Sequence, residues 1–247
     1  MKSEKIIFKN SFLRVLAQGD FISLAKKELK KQTDILEKYI AKNPSFQKSL
    51  KAKPIDRDAP SLIQEMQKAS QIFDIGPMAS VAGSIAQRVA QKIDKKKSPF
   101  SVVDNGGDIF INHLEKKILV GVFSGSNFKN LALEILPSDC PLAICSSSGL
   151  MGHSLSLGRA NLSCVFSRSA SVADAGATFL ANLIKKEADL ERALSEIDKR
   201  EQVRGAIAIK GEKIAFIGRV PRFVPHQDQG MERKISGFFL NQATFSL

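Results

Sequence analysis

Apolar residues recur at a helical period before Ser101 and at a strand period after it, which divides the chain into two kinds of local structure. Two short β-rich runs, Phe12–Leu16 and Phe21–Leu24, precede a stretch in which Leu29, Leu36, Tyr39 and Ile40 share a helical face; Asn43-Pro44 stops it. Ala59-Pro60-Ser61 opens a second helix with Leu62, Met66, Ala69 and Phe73 on one side. Gly76-Pro77 starts a third, whose stripe of Met78, Val81, Ala82, Ile85 and Val89 is interleaved with Ala79, Gly83 and Ala86, so that a neighbour can approach closely.

From Ser101 the spacing predicts strands over Ser101–Asp104, Ile109–Asn112, Ile118–Phe123, Leu131–Leu136, Leu142–Cys145 and Asn161–Phe166. A helix follows from Ser171 to Lys185, then a charged helical stretch, Glu187–Glu201. Two strands, Gly205–Lys210 and Lys213–Gly218, joined by Gly211-Glu212, come last. The remainder has little periodicity and is assigned to wrapping the surface or to a homodimer contact. The expectation is an α+β architecture in one domain over 1–247, helix-rich over 1–98 and sheet-rich over 99–247, with segregated helices and a mostly antiparallel sheet.

Composition narrows the class. With 247 residues, 43% of them hydrophobic, the chain can fill a sizeable core, and no run approaches a bilayer-crossing length. The amino-terminal residues break their apolar pieces with charges, so no signal-peptide core or lipid-attachment cysteine is read there. The three cysteines, Cys140, Cys145 and Cys164, are odd in number and lack paired spacing, which suits a reduced, cytoplasmic protein without disulfides or membrane partner. Of the formal charge of +12, the excess is amino-terminal: residues 1–100 carry 20 Lys and Arg against 10 Asp and Glu. Since Lys26–Lys38 falls on an amphipathic helix and there is no Trp and one Tyr, a solvated basic face is preferred to a nucleic-acid-binding one.

Four segments could carry chemistry. Asn105-Gly106-Gly107-Asp108 is a tight hairpin turn whose glycines would also let backbone N–H groups approach an anionic or planar ligand. Ser146-Ser147-Ser148-Gly149 supplies hydroxyl and amide donors at a strand end, or is an ordinary turn. Just beyond it, Gly152–Ser156 nearly matches a hydrolase nucleophile elbow, but the last position is Ser156 and the strand-turn-helix context is absent. His153 can act as acid or base, or bond a ligand, while His113 and His226 have no zinc-ligand spacing relative to it. In Ala173-Asp174-Ala175-Gly176-Ala177-Thr178, the carboxylate and hydroxyl four residues apart share a helical face and suit Mg²⁺; equally, Asp174 could only favour the positive end of its own helix. Gly76-Pro77-Met78-Ala79 is a helix start that favours anions or simply packs.

The order of these segments resembles the ApbE-like superfamily, whose best-known activity is FAD:protein FMN transfer, and more closely an uncharacterised cytoplasmic subfamily of it. The resemblance rests on T-D-I at Thr33–Ile35, P-S-F at Pro44–Phe46, G-P-M-A-S-V-A-G at Gly76–Gly83, N-G-G-D-I at Asn105–Ile109, S-S-G-x-x-G-H-S-L-S-L-G at Ser147–Gly158 and A-D-A-G-A-T at Ala173–Thr178. It implies a T-fold-like architecture, FAD or FMN as ligand, Mg²⁺ as cofactor, and an acceptor protein as further partner. By position it makes Asp174, Thr178 and the Ala173 carbonyl metal ligands, and Asn105, Gly106, Gly107 and Asp108 a wall of the flavin site. Ser148 and Gly149 become donors to the ligand, and His153 the candidate catalytic residue. The M-G-T-like start, the D-P-x-T-G segment and the lipoprotein anchor of the transferases have no counterpart in this sequence. A non-catalytic flavin or nucleotide sensor therefore stands as an alternative, as does a nucleic-acid-binding module built on the basic amino-terminal part.

Overall fold

The computed structural model describes residues 2–9, 11–18, 21–93, 97–122, 131–148, 160–225 and 244–246. Its largest element is an eight-stranded, wholly antiparallel sheet in the order β1 (Lys2–Phe8), β2 (Ser11–Ala17), β3 (Phe100–Asn105), β4 (Asp108–Leu114), β7 (Leu142–Ser147), β8 (Leu162–Ser167), β9 (Val203–Lys210) and β10 (Lys213–Gly218). A second, four-stranded sheet has the order β11 (Arg222–Pro225), β6 (Leu131–Ile135), β5 (Ile118–Val122) and β12 (Thr244–Ser246). The helices are α1 (Phe21–Lys42), α2 (Pro44–Lys48), α3 (Ser61–Phe73), α4 (Val81–Ala90), α5 (Ala170–Leu183) and α6 (Leu190–Asp198).

Side-chain alternation in the large sheet builds two cores from one set of strands. Val103, Phe110, Ala143, Cys145 and Val165 face the helices and join Ile85, Val89, Leu180 and Ile197 in one buried cluster. Val102, Ile109, Ile111, Leu142, Ile144 and Phe166 face the other way and close against Val120, Leu133 and Ile135 of the small sheet. A satellite cluster of Leu36, Phe46, Leu62, Ile63 and Met66 joins α1, α2 and α3. The large sheet is thus the middle of three layers, and the antiparallel α+β architecture expected from the pattern is present.

Local departures have identifiable causes. Phe21–Leu24, expected as a strand, is the first turn of α1: Ala25 and Leu29 continue the helical spacing into the core, while Leu24 is left 37% exposed. The third helix is interrupted, with a 3₁₀ turn over Pro77–Ser80 before α4. The connection after Asn43 contains α2, because Pro44 at the first helical position starts a new helix as readily as it ends the old one. β1 was not expected: only Ile6 of its described side chains is buried, as befits a charged edge strand. The tail contributes β11, paired to β6, and β12, paired to β5.

Candidate functional site

The turn between β3 and β4 is a two-residue hairpin with Gly106 at φ 69° and Gly107 at φ 101°, a left-handed backbone that side chains with a Cβ disfavour. Its flanks are fixed by polar contacts. The Gly107 N–H donates to Asp104 Oδ1 at 2.7 Å, and the Ser146 hydroxyl of β7 donates to the Gly107 carbonyl at 3.2 Å. Asn105 holds two elements at once: Oδ1 accepts from the Phe12 N–H at 3.3 Å, and Nδ2 donates to the Ala82 carbonyl of α4 at 3.1 Å.

Helix α5 follows β8 and doubles back over β7 and β8, so its residues advance toward the end of the sheet that carries this turn. Asp174, on its second turn, meets the start of α4, where the Gly83 N–H donates to Oδ2 at 2.8 Å and Ala82 N–H adds a second bond. The carboxylate therefore serves α4 as an N-terminal partner supplied from another helix, complementing its dipole. Gly83 makes the approach possible, since a Cβ there would lie 2.6 Å from the Ala170 carbonyl oxygen and 2.9 Å from Asp174 Cβ. Gly76 likewise answers to packing: a Cβ there would sit 1.9 Å from the Ser49 carbonyl oxygen.

Asp108 shares this space. Burial, then the negative charges of Asp174 and Asp104, drive its carboxyl well above the ordinary range, opposed by the Ser146 N–H and the Cys145 thiol. Burial pushes Asp174 up to about 7, against the two amide bonds from α4. The Cys145 thiol is pushed upward, by burial first and then by the two carboxylates. Two acids in one desolvated space share protons rather than titrate separately, so the pair carries less than its full charge near neutrality.

Around this pair, among the described residues, lie buried oxygens without a hydrogen-bond partner: Asp108 Oδ1, Ser147 Oγ and Ser163 Oγ. Ser147 and Ser163 are cross-strand partners in β7 and β8 and occupy the helix-facing positions of their strands, in line with Cys145 and Val165. Unpartnered buried polar atoms are costly and point to a missing partner. Among the described residues no three His, Cys, Asp or Glu side chains form a metal-holding group. A hard cation would draw on the Asp108 and Asp174 carboxylates and complete its shell with hydroxyl, backbone, water or ligand oxygens, a donor set that fits Mg²⁺.

Asn105, Gly106, Gly107, Asp108 and Asp174 thus converge at one end of the sheet. Thr178, 8% exposed, lies one helical turn beyond Asp174 on the same side of α5. Ala173 is fully buried, its N–H bonded to the Ser169 carbonyl at 3.0 Å. Ser148 leaves the end of β7 half-buried and is hydrogen-bonded or otherwise partnered. Gly149 and His153 lie outside the described residues, as does His226. His113 is a buried structural histidine, with Nε2 3.0 Å from the Ser98 carbonyl oxygen. Asp104 and Ser163 carry no motif in the sequence, Ala82 and Gly83 belong to one that does not reveal their amides as donors, and Cys145 is visible there only as an unpaired thiol. The signal for the serines was there, as hydroxyls at inward positions of otherwise apolar strands.

The family model described as AbpE bacteria matches residues 8–213. A UPF0280 protein of Methanothrix thermoacetophila is 42% identical over 210 residues, covering 84% of this chain and 87% of that protein. A UPF0280 protein of Archaeoglobus fulgidus is 39% identical over 228 residues, covering 90% and 94%. Among solved structures, a point mutant of the flavin transferase ApbE from Vibrio cholerae superposes with TM-score 0.50 at 10% identity, covering 88% of this chain and 97% of that one. The apo flavinyl transferase ApbE of Pseudomonas stutzeri gives TM-score 0.50 at 10% identity, covering 87% and 94%. The likeness in fold and the match over most of the chain agree: this protein belongs to the AbpE bacteria family, within the ApbE-like superfamily.

Proposed function

We propose that this protein binds a flavin nucleotide, FAD or FMN, together with Mg²⁺ at the end of the large sheet formed by the β3–β4 turn, the start of α4, α5 and the end of β7. One observation carries the reading: a buried pair of carboxylic acids, Asp108 and Asp174, stands beside a paired-glycine turn with unpartnered oxygens at Asp108, Ser147 and Ser163. The names of the ApbE structural neighbours supply the flavin, and the oxygen donors supply the preference for a hard cation. Asp174 and Thr178, with Asp108 and the Ala173 carbonyl, hold the metal; when bound, it neutralises pyrophosphate charge. The glycines of the turn bring backbone amides against the ligand, Ser148 and Gly149 donate to it, and His153 orients a proton. Isothermal calorimetry with FAD tests this: binding that strengthens in Mg²⁺ is expected, and no heat with or without the metal removes the proposal.

Transfer of FMN to an acceptor protein is the catalytic form of the same reading, with phosphate–oxygen cleavage between the two halves of FAD releasing AMP. The missing D-P-x-T-G segment favours the alternative of a sensor that binds without reacting. Incubation with FAD, Mg²⁺ and candidate acceptor proteins separates the two. AMP release with protein-bound flavin fluorescence establishes transfer and rules out the sensor, for which bound FAD is expected to stay intact.

A further inference from the structure

At the opposite end of the large sheet, where β7 begins and β10 ends, a cleft of about 240 Å³ is walled by Arg204, Arg219 and Arg222 over an apolar floor that includes Leu142, Val220 and Pro221. Asp108 lies beside Cys145, three residues along β7 from Leu142 of the cleft, which separates the two places by ~10 Å at about 3.3 Å per residue. Among the described residues the cleft's charges do not balance. Glu134 is already bonded twice, to Lys117 Nζ at 2.6 Å and to Arg222 at 2.8 Å, and Asp139 Oδ1 takes Arg219 at 3.0 Å. Arg204 donates to a neutral partner, the Asp139 carbonyl, at 3.0 Å. Desolvation and the like charges of Arg219 and Arg168 depress its pKa, against the attraction of Asp139 and the Cys140 sulfur. Among the described residues, Lys117 and three arginines thus meet two carboxylates, and Arg168 adds like charge at Arg204. Crowding like charges costs stability, and a bound dianion would relieve it. Guanidinium forks match tetrahedral oxyanions in bidentate geometry, so the deficit is of the kind a phosphoryl group fills. The volume is below that of pockets for drug-sized ligands, which restricts the occupant to a small one.

We propose that this cleft is a second ligand site, for a small oxyanion of the phosphate class, separate from the flavin site and independent of it. Thermal-shift and calorimetric titrations with inorganic phosphate and with pyrophosphate, without FAD or Mg²⁺ and against chloride at matched ionic strength, test the inference. The wild-type protein is expected to respond saturably. Replacing the two most exposed arginines together, Arg219→Gln with Arg222→Gln, is expected to weaken binding about ten-fold or more, as the loss of one to two charge-assisted hydrogen bonds implies. Asp108→Asn, at the other end of the sheet, is expected to keep wild-type phosphate affinity. A wild-type protein without saturable response, a double variant that binds as well as wild type, or an equal loss in Asp108→Asn would each overturn the proposal. Should the double variant not fold, Arg219→Lys decides. It keeps the charge and loses the fork, so a several-fold loss supports the site and unchanged affinity refutes it. Failure here leaves the flavin reading untouched, because neither flavin nor metal enters the titration.

Discussion

Asp174 stands at the junction of packing and chemistry: its carboxylate accepts amides from α4, yet burial holds its pKa near 7. The sign of the resulting pH dependence follows directly. The unfolded chain loses this proton near pH 4 and the native protein keeps it to about 7, so the stability it contributes is full below pH 4 and fades as pH rises through about 7. Asp174→Asn keeps an acceptor for Gly83 and removes the titration. We expect a flatter profile of melting temperature against pH between 4 and 8, a variant more stable than wild type at pH 8 without metal, and loss of Mg²⁺-dependent FAD binding. Thermal denaturation across that range is the check; a profile identical to wild type would mean that Asp174 is not the titrating group. The sequence pointed to Asp108 and Asp174 through motif order. Ser147 was legible only as one donor of the Ser146–Gly149 segment and Ser163 only as a hydroxyl in an apolar strand, because register alone shows that both occupy the helix-facing side.

At the scale of elements, the contact of α4 with α5 sets the site. Gly83 is the residue that lets the two helices meet, and a side chain there strikes backbone, the Ala170 carbonyl, which has no rotamer by which to yield. Gly83→Ala would gain helix propensity of about 1 kcal/mol and lose more to overpacking, typically 1–3 kcal/mol. Gly83→Val enlarges the clash and forfeits the propensity gain. At this chain length each kcal/mol moves the midpoint by roughly 2–4 °C, so a fall of several degrees is expected for Gly83→Val, with a smaller fall for alanine. Calorimetric melting measures both, and a valine variant as stable as wild type would contradict the close approach. Long, strongly periodic elements were legible in the sequence, α3 and α5 among them. The first turn of α1 was not, because Phe21–Leu24 is β-rich by composition and only the later Ala25 and Leu29 reveal its helical face. β1 escaped because an edge strand with most side chains in solvent has no alternation to read.

For the whole molecule, the proposed site makes proton and cation rivals for the same two acids, so metal binding there would be visible in global stability only where the acids are ionised. Millimolar Mg²⁺ is expected to raise the melting temperature at pH 8, by an amount that grows with its logarithmic excess over the dissociation constant, and to do little at pH 5. Equal shifts at both pH values would indicate an unrelated surface effect. What the sequence left out at this scale is the joining of parts. The amino-terminal residues looked like a helical lobe ahead of a sheet, whereas β1 and β2 extend that sheet and α4 closes over it. Pairing of β2 with β3 spans the whole helical segment, and such long-range register leaves no local trace.

The seating of α4 on a neighbouring helix's carboxylate has one more implication. A metal bound as proposed would compete with the Ala82 and Gly83 amides for Asp174, so its occupancy would not be silent to the backbone. Exchange of those two amides with deuterated solvent becomes a gauge of whether the centre is filled, readable without any turnover or knowledge of the acceptor.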